Sequence, residues 1–314
     1  MPRYYPAATR TTAPSAQEFA LPELPDIAIY VDHLQRRLLG QTLRGIALTS
    51  PFLLRTVEPP LADANGRRIE GVRRLGKRLV LALAGDYFIV LHLMIAGRLR
   101  WRDSGDKAPG KITLASFRFD HGTLYLTEAG TKRRASLHYV AGEAALAALD
   151  PGGIDIETLD VAAFAQRMAL GNHTLKRALT DPRIFSGIGN SYSDEILHRA
   201  QLSPFALGAK LSAAEAARLH AAALAVLQEW TQRLGAKTGA AFPETVTAFH
   251  DEMAVHGRYG KPCPVCGAPV QRIVYADNEA NYCARCQTGG KLLADRALSR
   301  LLHDSWPKDI DQLL

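Results

Sequence analysis

The chain has 314 residues, 47% of them hydrophobic, which is enough apolar material for folded cores and argues against global disorder. Its net charge of +7 and its pI of about 9.3 are compatible with a polyanionic partner such as nucleic acid, although many basic proteins have no such partner. No apolar run approaches the ~18 residues of a membrane span, and residues 1–20 lack the apolar core of a secretory signal. We therefore expect a soluble intracellular protein of two or three domains.

The chain opens with residues 1–21, a segment rich in Pro, Ala and Thr that we predict to be a disordered leader. A helix is predicted from Asp26 onward, because apolar residues recur at helical spacing and Gly40 follows the last of them. The leader is thus followed directly by an amphipathic helix. Its apolar positions are Ile27, Tyr30, Val31, Leu34 and Leu38.

Short segments rich in β-branched and aromatic residues follow the helix, separated by turns that contain Gly and Asp. Residues 41–140 are therefore predicted to form a β-rich domain with a sandwich fold. The strand-like segments span 78–85, 87–101, 112–119 and 123–130.

A Pro/Gly-containing break at 149–157 predicts a domain boundary, and the composition beyond it becomes helical. Ser212 and Glu215 form a capping-box pattern ahead of a long helix whose apolar stripe is expected to face a core. The tail after the cysteines, with its mixed charge, is predicted to be an amphipathic helix. The predicted division is a β-rich domain at 22–150, a helical domain at 151–250, a cysteine-containing module at 251–287 and a helical extension at 288–314.

The four cysteines of the chain form two Cys-x2-Cys pairs separated by sixteen residues, which is the spacing of a four-cysteine zinc site. Each pair suits a tight turn, and two such turns bring four thiolates to the corners of a tetrahedron. Because protein thiolates would fill all four positions, we expect one structural zinc ion rather than a catalytic one. Two disulfides or a redox dithiol are the alternatives, and the intracellular setting disfavours them. The predicted ligands are Cys263, Cys266, Cys283 and Cys286.

Five motifs in this order resemble the formamidopyrimidine-DNA glycosylase and endonuclease VIII family of base-excision repair enzymes. Each motif alone is weak, but the five in sequence are specific and cover roughly residues 21–287. The resemblance implies an α+β multidomain fold: an N-terminal β-sandwich with a flanking helix, a DNA-binding helical domain with a helix–two-turn–helix unit, and a C-terminal four-cysteine zinc hairpin. The motifs are PELPD (22–26), RRLGKRLVL (73–81), HLMIAGRL (92–99), LKRALTDPRIFSGIGNSYSDEIL (175–197) and HGRYGKPCPVCG (256–267).

The resemblance also implies a bifunctional DNA glycosylase and abasic-site lyase that removes oxidised bases. In the family, an N-terminal proline amine attacks C1′ of the damaged nucleoside, the base is expelled, and loss of a sugar proton then breaks the strand. Matched to this sequence, Pro22 is the nucleophile, Glu23 handles protons at the sugar, and Lys77 lies near the departing base. Without the other motifs, Pro22 and Glu23 would be interpreted as a helix start and Lys77 as a solvated turn residue.

Four further positions are implied to contact DNA. Ile95 matches an apolar wedge that fills the gap left by the flipped base, and Lys176, next to the additional charge of Arg177, and Asn190 match positions at the phosphate backbone. Arg285 is the fourth candidate. The implied partner is double-stranded DNA that contains damaged bases, and the protein is expected to act as a monomer in a bacterial-type cytoplasm, at the nucleoid.

The internal position of Pro22 conflicts with this chemistry, because an internal proline nitrogen belongs to an amide and its lone pair is delocalised into the carbonyl. We hypothesise that translation starts at Leu21 through a non-ATG codon read as Met, which is then removed. Proteolytic removal of residues 1–21 is a second possibility. Pro2, exposed by trimming of Met1, is a third, but the residue after it is Arg3 rather than a carboxylate.

Single positions depart from the family pattern. Asp26 stands where a Glu is usual, Ile95 where purine-specific members often have Met, and Asn278 where an arginine contacts the lesion-site phosphate and supports the second elimination. Arg272 and Arg285 are the candidate replacements for that arginine.

Two segments depart as well. Segment 128–137 lacks the aromatic wedge of relatives, and segment 237–249 is shorter than the loop that caps 8-oxoguanine in them. Asn278, the lost aromatic wedge and the internal position of Pro22 suit an alternative function, a non-catalytic binder of damaged or abasic DNA. The departures from the family pattern leave open the preferred base, the opposite base, and whether elimination is β or β,δ.

Overall fold

The computed structural model describes residues 21–130, 132–244, 246, 250–275, 278–294, 300 and 307–312. The predicted leader, apart from Leu21, lies outside the described residues. Among the helices in these ranges, none is both long and apolar enough to cross a membrane.

The N-terminal domain is a sandwich of two four-stranded antiparallel sheets, as predicted, with the first helix, α1 (Leu24–Leu38), packed against it. One sheet has the order β1-β6-β7-β5 and the other the order β2-β3-β4-β8. The strands are β1 (Gly45–Leu48), β2 (Ile69–Leu75), β3 (Arg78–Leu83), β4 (Tyr87–His92), β5 (Gly97–Asp103), β6 (Thr113–Arg118), β7 (Gly122–Glu128) and β8 (Ser136–Ala141).

The core of the sandwich is filled by alternating side chains of both sheets together with one face of α1. Ile27, Tyr30, Leu34 and Leu38 of that face are all fully buried in this core. Burying an aliphatic or aromatic side chain of this size contributes about 1.5–3 kcal/mol, so the helix start is held firmly against the sandwich.

The strand-like segment 87–101 is two strands rather than one. The chain turns at 93–96, where Met94 adopts a positive φ of 53°, and β4 and β5 then join different sheets. The turn therefore connects the two layers of the sandwich, and Ile95 lies in it.

The helical domain has its own core, built on a long central helix. That helix begins with the predicted capping box: Glu215 N–H donates to Ser212 Oγ (3.3 Å) and Ser212 N–H donates to Glu215 Oε2 (2.9 Å). The helices are α2 (Glu143–Ala147), which precedes the domain, α3 (Val161–Met168), α4 (Leu175–Thr180), α5 (Asn190–Arg199) and the central α6 (Ala213–Thr238).

The cysteine module is a hairpin of β9 (Gln271–Tyr275) and β10 (Asn278–Tyr282), followed by the short helix α7 (Ala284–Thr288). The predicted C-terminal helix is wrong at 289–294 and at 307–309, which are not helical, whereas Arg300 is helical. Gly289 and Gly290 have φ of +62° and +92° and end α7, because a right-handed helix does not continue through such angles. The remainder of that prediction, at 295–299 and 301–306, lies outside the described residues.

The segment after α6 folds back onto the N-terminal domain. The ring of Phe242 packs on that of Tyr30, with 6.0 Å between the two ring centroids. The Glu244 carboxylate pairs with the guanidinium groups of Arg100 (3.3 Å) and Arg102 on β5. This segment ties α6 to the sandwich. Residues 245 and 247–249, the remainder of the short loop noted in the sequence, lie outside the described residues.

Candidate active site and DNA-binding surface

The motif Pro-Glu-Leu-Pro lies at the junction of the sandwich and the helical domain. Pro22 is buried, and Leu24 packs in the core of the helical domain while the helix it begins packs in the sandwich. Glu23 N–H donates to the Asp26 carboxylate (2.9 Å), which closes the first turn of α1. Asp26 thus has a local function in this chain: it fixes the backbone of Glu23.

The Glu23 carboxylate binds the N-terminus of α5. It accepts hydrogen bonds from the backbone N–H groups of Gly189 (2.6 Å), Ser191 (2.8 Å) and Tyr192 (3.3 Å). A carboxylate at this end of a helix satisfies N–H groups that have no intrahelical partner and complements the helix dipole. Glu23 and the Gly-Ile-Gly-Asn turn, which are more than 160 residues apart in sequence, therefore form one unit.

Lys77 reaches the same point from the β2–β3 turn. A β-carbon built on Gly189 would lie 2.5 Å from Glu23 Cδ and 2.7 Å from Lys77 Nζ, so both charged groups contact the bare backbone of this glycine. Burial raises the pKa of the Glu23 carboxyl above its ordinary value, and the Lys77 charge only partly offsets this. Burial likewise lowers the pKa of Lys77, with Glu23 acting in the opposite direction. Opposite shifts in adjacent groups are typical of sites that transfer protons.

Ile95 lies at the tip of the β4–β5 turn and is half-buried. Arg98 holds the turn by donating to the carbonyl oxygens of Ile95 (2.9 Å) and Gly97 (2.7 Å). A β-carbon on Gly97 would lie 2.1 Å from the Leu93 carbonyl oxygen, so the tight turn requires glycine there. The apolar tip is therefore presented on a rigid support, and its role as a wedge stays a prediction.

Lys176 lies elsewhere than the resemblance implied. Its side chain is almost fully buried, and its ammonium contacts the Asn190 carbonyl oxygen (3.0 Å), Ser193 Oγ (3.3 Å) and the Asp194 carboxylate (2.5 Å). These three contacts use the three N–H donors of a lysine. We therefore correct its expected role: in this structure Lys176 holds Asn190 in place from within the protein rather than facing a phosphate.

Asp194 connects this lysine to the zinc module. Its second carboxylate oxygen lies 2.9 Å from His256 Nδ1 and accepts from the backbone N–H of Asn281 (3.1 Å). Burial opposes ionisation of Asp194, but the charges of Lys176 and His256 outweigh it and lower the pKa of this carboxyl. Helices α4 and α5 and strand β10 thus meet at one buried charged group.

The four cysteines converge as predicted, with all Sγ atoms within 4.8 Å of one another. Zn–S bonds of about 2.3 Å in a tetrahedron place sulfur atoms about 3.8 Å apart. The Cys263–Cys286 and Cys266–Cys283 pairs, at 3.9 and 3.3 Å, are close to that spacing and far from a disulfide bond of about 2.05 Å. The cluster fits one structural zinc ion, and the disulfide alternative is excluded.

His198, which sequence reasoning missed, lies beside this cluster. It is on α5, 5% exposed, and its Nε2 is 3.3 Å from Cys263 Sγ. Groups that hydrogen-bond to a metal ligand orient it, and their loss typically costs 10–100-fold in metal affinity.

We expect His198→Phe, which keeps the ring but removes the nitrogen, to weaken zinc binding about 10–100-fold in competition with a chelator. His220→Phe is the matched control, because His220 is also a buried histidine but lies in the helical core. Its ring packs on Phe164, with 5.1 Å between the ring centroids. Equal zinc loss in both variants would show that the contact to Cys263 does not matter.

The remaining predicted DNA contacts differ in their surroundings. Asn190 is the first residue of α5 and is half-buried, beside Gly189. Arg285 lies on α7, and its guanidinium pairs with Asp311 (2.7 Å) on the tail. Asn278 is the first residue of β10, opposite Tyr275. The structure thus gathers Pro22, Glu23, Lys77 and Asn190 at one junction, while Arg285 lies on the zinc module.

Comparison with protein-family models matches nearly the whole described chain. The formamidopyrimidine-DNA glycosylase N-terminal domain matches residues 21–136, and the H2TH domain of the same proteins matches residues 148–240. A zinc finger found in FPG and IleRS matches residues 260–289.

Individual proteins show the same similarity. A formamidopyrimidine-DNA glycosylase of Thermus thermophilus is 34% identical over 280 residues, which are 86% of this chain and 100% of that protein. A crystal structure of a mutant of Lactococcus lactis FPG, in complex with DNA containing Fapy-dG, has a TM-score of 0.76 at 25% identity, over 85% of this chain and 100% of the other. A complex of Lactococcus lactis Fpg with abasic-site DNA gives the same TM-score and identity, over 85% and 99% of the two chains.

Proposed function

The chain belongs to the formamidopyrimidine-DNA glycosylase family, and from this premise we propose that it is a DNA glycosylase of base-excision repair that also cleaves the strand as an abasic-site lyase. The observation that carries the proposal is the junction at which Pro22-Glu23, Lys77 and Gly189 meet. The related structures bound to Fapy-dG and abasic-site DNA support double-stranded DNA with a damaged base as the substrate.

In the proposed reaction, Pro22 acts as an N-terminal secondary amine. Its nitrogen forms a bond to C1′ of the damaged nucleoside, while the glycosidic C–N bond breaks and its electron pair leaves with the base. Lys77, a cation beside the site, stabilises or protonates the departing base. The Pro22 nitrogen then loses its proton, and its lone pair forms a C1′=N double bond while the C1′–O4′ bond breaks. O4′ takes up a proton, which leaves an open sugar joined to Pro22 as an iminium ion.

Strand cleavage then follows from the iminium ion. A proton leaves C2′, the C3′–O bond breaks, and the 3′ phosphate departs with the electron pair. Glu23 is the carboxyl next to the nucleophile, and burial raises its pKa, which suits a group that accepts and returns protons. Hydrolysis of the iminium restores Pro22.

The target base must leave the stack before this chemistry, at a cost of a few kcal/mol. Ile95, on its rigid turn, is the proposed wedge for the vacated space. Asn190 is the proposed phosphate-binding residue of the junction, because the N–H groups of Gly189, Ser191 and Tyr192 beside it are bound to the Glu23 carboxylate.

A non-catalytic binder of damaged or abasic DNA is the second candidate. One observation favours it: Pro22 is buried and preceded by Leu21, so in this chain its nitrogen is an amide. Such a binder would use the same junction and the same zinc module but form no covalent intermediate.

Base release distinguishes the two functions. We expect a protein whose chain begins at Pro22 to release 8-oxoguanine or a formamidopyrimidine from duplex DNA under single-turnover conditions, measured by chromatography of the free base. A binder would retard the same duplex in a gel and release no base. Binding without release by the chain that begins at Pro22 would contradict the glycosylase assignment.

A further inference from the structure

The junction of α4, α5 and the zinc hairpin is rich in cations, but most of them are paired with carboxylates. Lys176 pairs with Asp194 in the interior. At the surface, four arginines are paired: Arg183 with Asp181, Arg199 with Glu229, Arg272 with Glu279 and Arg285 with Asp311. A phosphate that approached any of these arginines would also approach the paired carboxylate, which repels it.

Arg177 differs from these cations. It is exposed, whereas Lys176 and Ala178 on either side of it are buried, so its side chain points away from the core of the domain. Within the described ranges, no carboxylate lies within ion-pair distance of its guanidinium. Arg177 can therefore bind an anion without first breaking an ion pair with a carboxylate.

The fold places Arg177 between two elements of the DNA-binding surface. On one side, the neighbouring Lys176 contacts the Asn190 carbonyl oxygen, so α4 lies against the first turn of α5. On the other side, Asp194 joins Lys176 to the backbone of Asn281 on β10, so α4 also lies near the zinc hairpin.

Tyr275 is an exposed aromatic residue of this hairpin. It is 43% exposed at the end of β9, directly across from Asn278. Asn278 lies on the same short strand as Asn281, which is bound to Asp194, so Tyr275 belongs to the part of the hairpin that adjoins α4 and α5. Burial, together with the charge of Asp194, raises the pKa of its hydroxyl to about 12, and the charge of Arg177 acts in the opposite direction. The hydroxyl therefore stays protonated at neutral pH and can donate a hydrogen bond to a phosphate.

We propose that Arg177 and Tyr275 bind one backbone phosphate of the DNA, beside the phosphate-binding turn at Asn190. The inference deepens the proposed function, on which it rests, by assigning the cation of this contact. Arg272 and Arg285, the two candidates from sequence, are paired with acidic residues, and Arg177 takes the place expected of them. A guanidinium suits this task because it can donate two parallel hydrogen bonds to phosphate oxygens.

The salt dependence of DNA binding tests the proposal. Each phosphate contact made by a cation changes the slope of log K against log salt by about 0.9. We expect Arg177→Gln to weaken binding to a duplex with a tetrahydrofuran abasic analogue about tenfold at low salt and to reduce the slope by about one. Tyr275→Phe should weaken binding about threefold without changing the slope, because it removes no charge. Fluorescence anisotropy over a range of salt concentrations measures both quantities.

Two further variants make the result specific. Arg199→Gln removes the same charge from the far end of α5 and is expected to leave affinity and slope at wild-type values. Arg177→Lys keeps the charge and should retain the slope while losing part of the affinity. Thermal unfolding of each variant identifies a loss of fold, which is not expected at an exposed position.

Two outcomes would overturn the proposal alone: a wild-type slope in Arg177→Gln, or a lost contact in Arg285→Gln with none in Arg177→Gln. Base release by the wild-type chain that begins at Pro22 would remain in both cases, so the proposed function would stand. A wild-type protein without measurable affinity for the abasic duplex would overturn both.

Discussion

A protein whose chain begins at Pro22 is expected to form a covalent complex with abasic DNA that borohydride traps, whereas a protein with even one residue before Pro22 is expected to form none. The reason is electronic. A secondary amine has a free lone pair for attack on C1′, and an amide nitrogen has delocalised the same pair into a carbonyl group. The match to the family model of the N-terminal domain begins at Leu21, the residue directly before Pro22.

The most sharply matched pair is a chain that begins at Pro22 and a chain that begins at Leu21. The two proteins differ by one residue and keep Glu23, Lys77 and Gly189 in place. Trapped complexes are resolved by denaturing electrophoresis, and mass spectrometry of the digested complex locates the sugar remnant. We expect it on Pro22, and we expect a blocked N-terminal amine to abolish it. Equal trapping by both chains would assign the chemistry to another amine and refute Pro22 as the nucleophile.

Intact mass of the untagged protein made from its native gene connects this result to the cell. A mass that corresponds to Pro22 at the N-terminus would supply the amine and support the glycosylase. A mass that retains residues 2–21 would leave Pro22 as an amide, and the binder would then become the better-supported function.

The parts of the site that could be predicted from sequence are those that lie close together along the chain. The cysteine spacing predicted the cluster because each Cys-x2-Cys pair occupies a single turn. The capping box of Ser212 and Glu215 was predicted for the same reason, since both partners lie within four residues. The strands of the sandwich followed from residue type, but one segment, 87–101, was predicted as continuous because the positive φ at Met94 has no signal in a non-glycine residue.

The acidic pair Asp194-Glu195 shows why other parts could not be predicted. On a helix near arginines and a histidine, two adjacent carboxylates are ordinarily solvated, yet both are buried here. Their partners come from distant segments: Asp194 binds Lys176 and His256, and Glu195 binds three backbone N–H groups at 254–256. The same long-range packing turns Lys176 inward. A motif that matches a family position therefore locates a residue but does not determine which way its side chain points.

Glu23→Gln is the second prediction with a large expected effect. The carboxylate has two roles that must be separated: it is the proposed proton-handling group, and it binds three N–H groups at the start of α5. Glutamine offers one acceptor oxygen and replaces the other with an NH2 group, so one contact becomes repulsive. We expect a loss of about 1–3 kcal/mol in the free energy of unfolding from the buried N–H groups left without an acceptor.

The expected effect on chemistry is larger. General acid–base catalysis by one positioned group contributes about 10²–10⁴-fold, and we expect a loss of that size in the single-turnover rate of strand cleavage. Because the pKa of Glu23 is raised by burial, the wild-type rate should also fall as the pH drops through a value above the ordinary 4.5 of a glutamate. Protonation removes the base, so the rate decreases toward acid pH. Glu23→Asp should retain this decrease because it keeps a carboxyl group that titrates, whereas Glu23→Gln should lose it.

Glu195→Gln is the control that separates structure from chemistry. Glu195 is also a buried glutamate whose carboxylate accepts three backbone N–H groups, from Ala254, Val255 and His256, and burial raises its pKa as well. It binds the segment ahead of the zinc hairpin instead of the start of α5. The two substitutions should therefore cost similar stability, while only Glu23→Gln should reduce cleavage by orders of magnitude at unchanged affinity for abasic DNA. If both variants lost activity equally, the contribution of Glu23 to catalysis would be indirect, through its binding to the start of α5. The proton transfer at the sugar would then have to be assigned to another group.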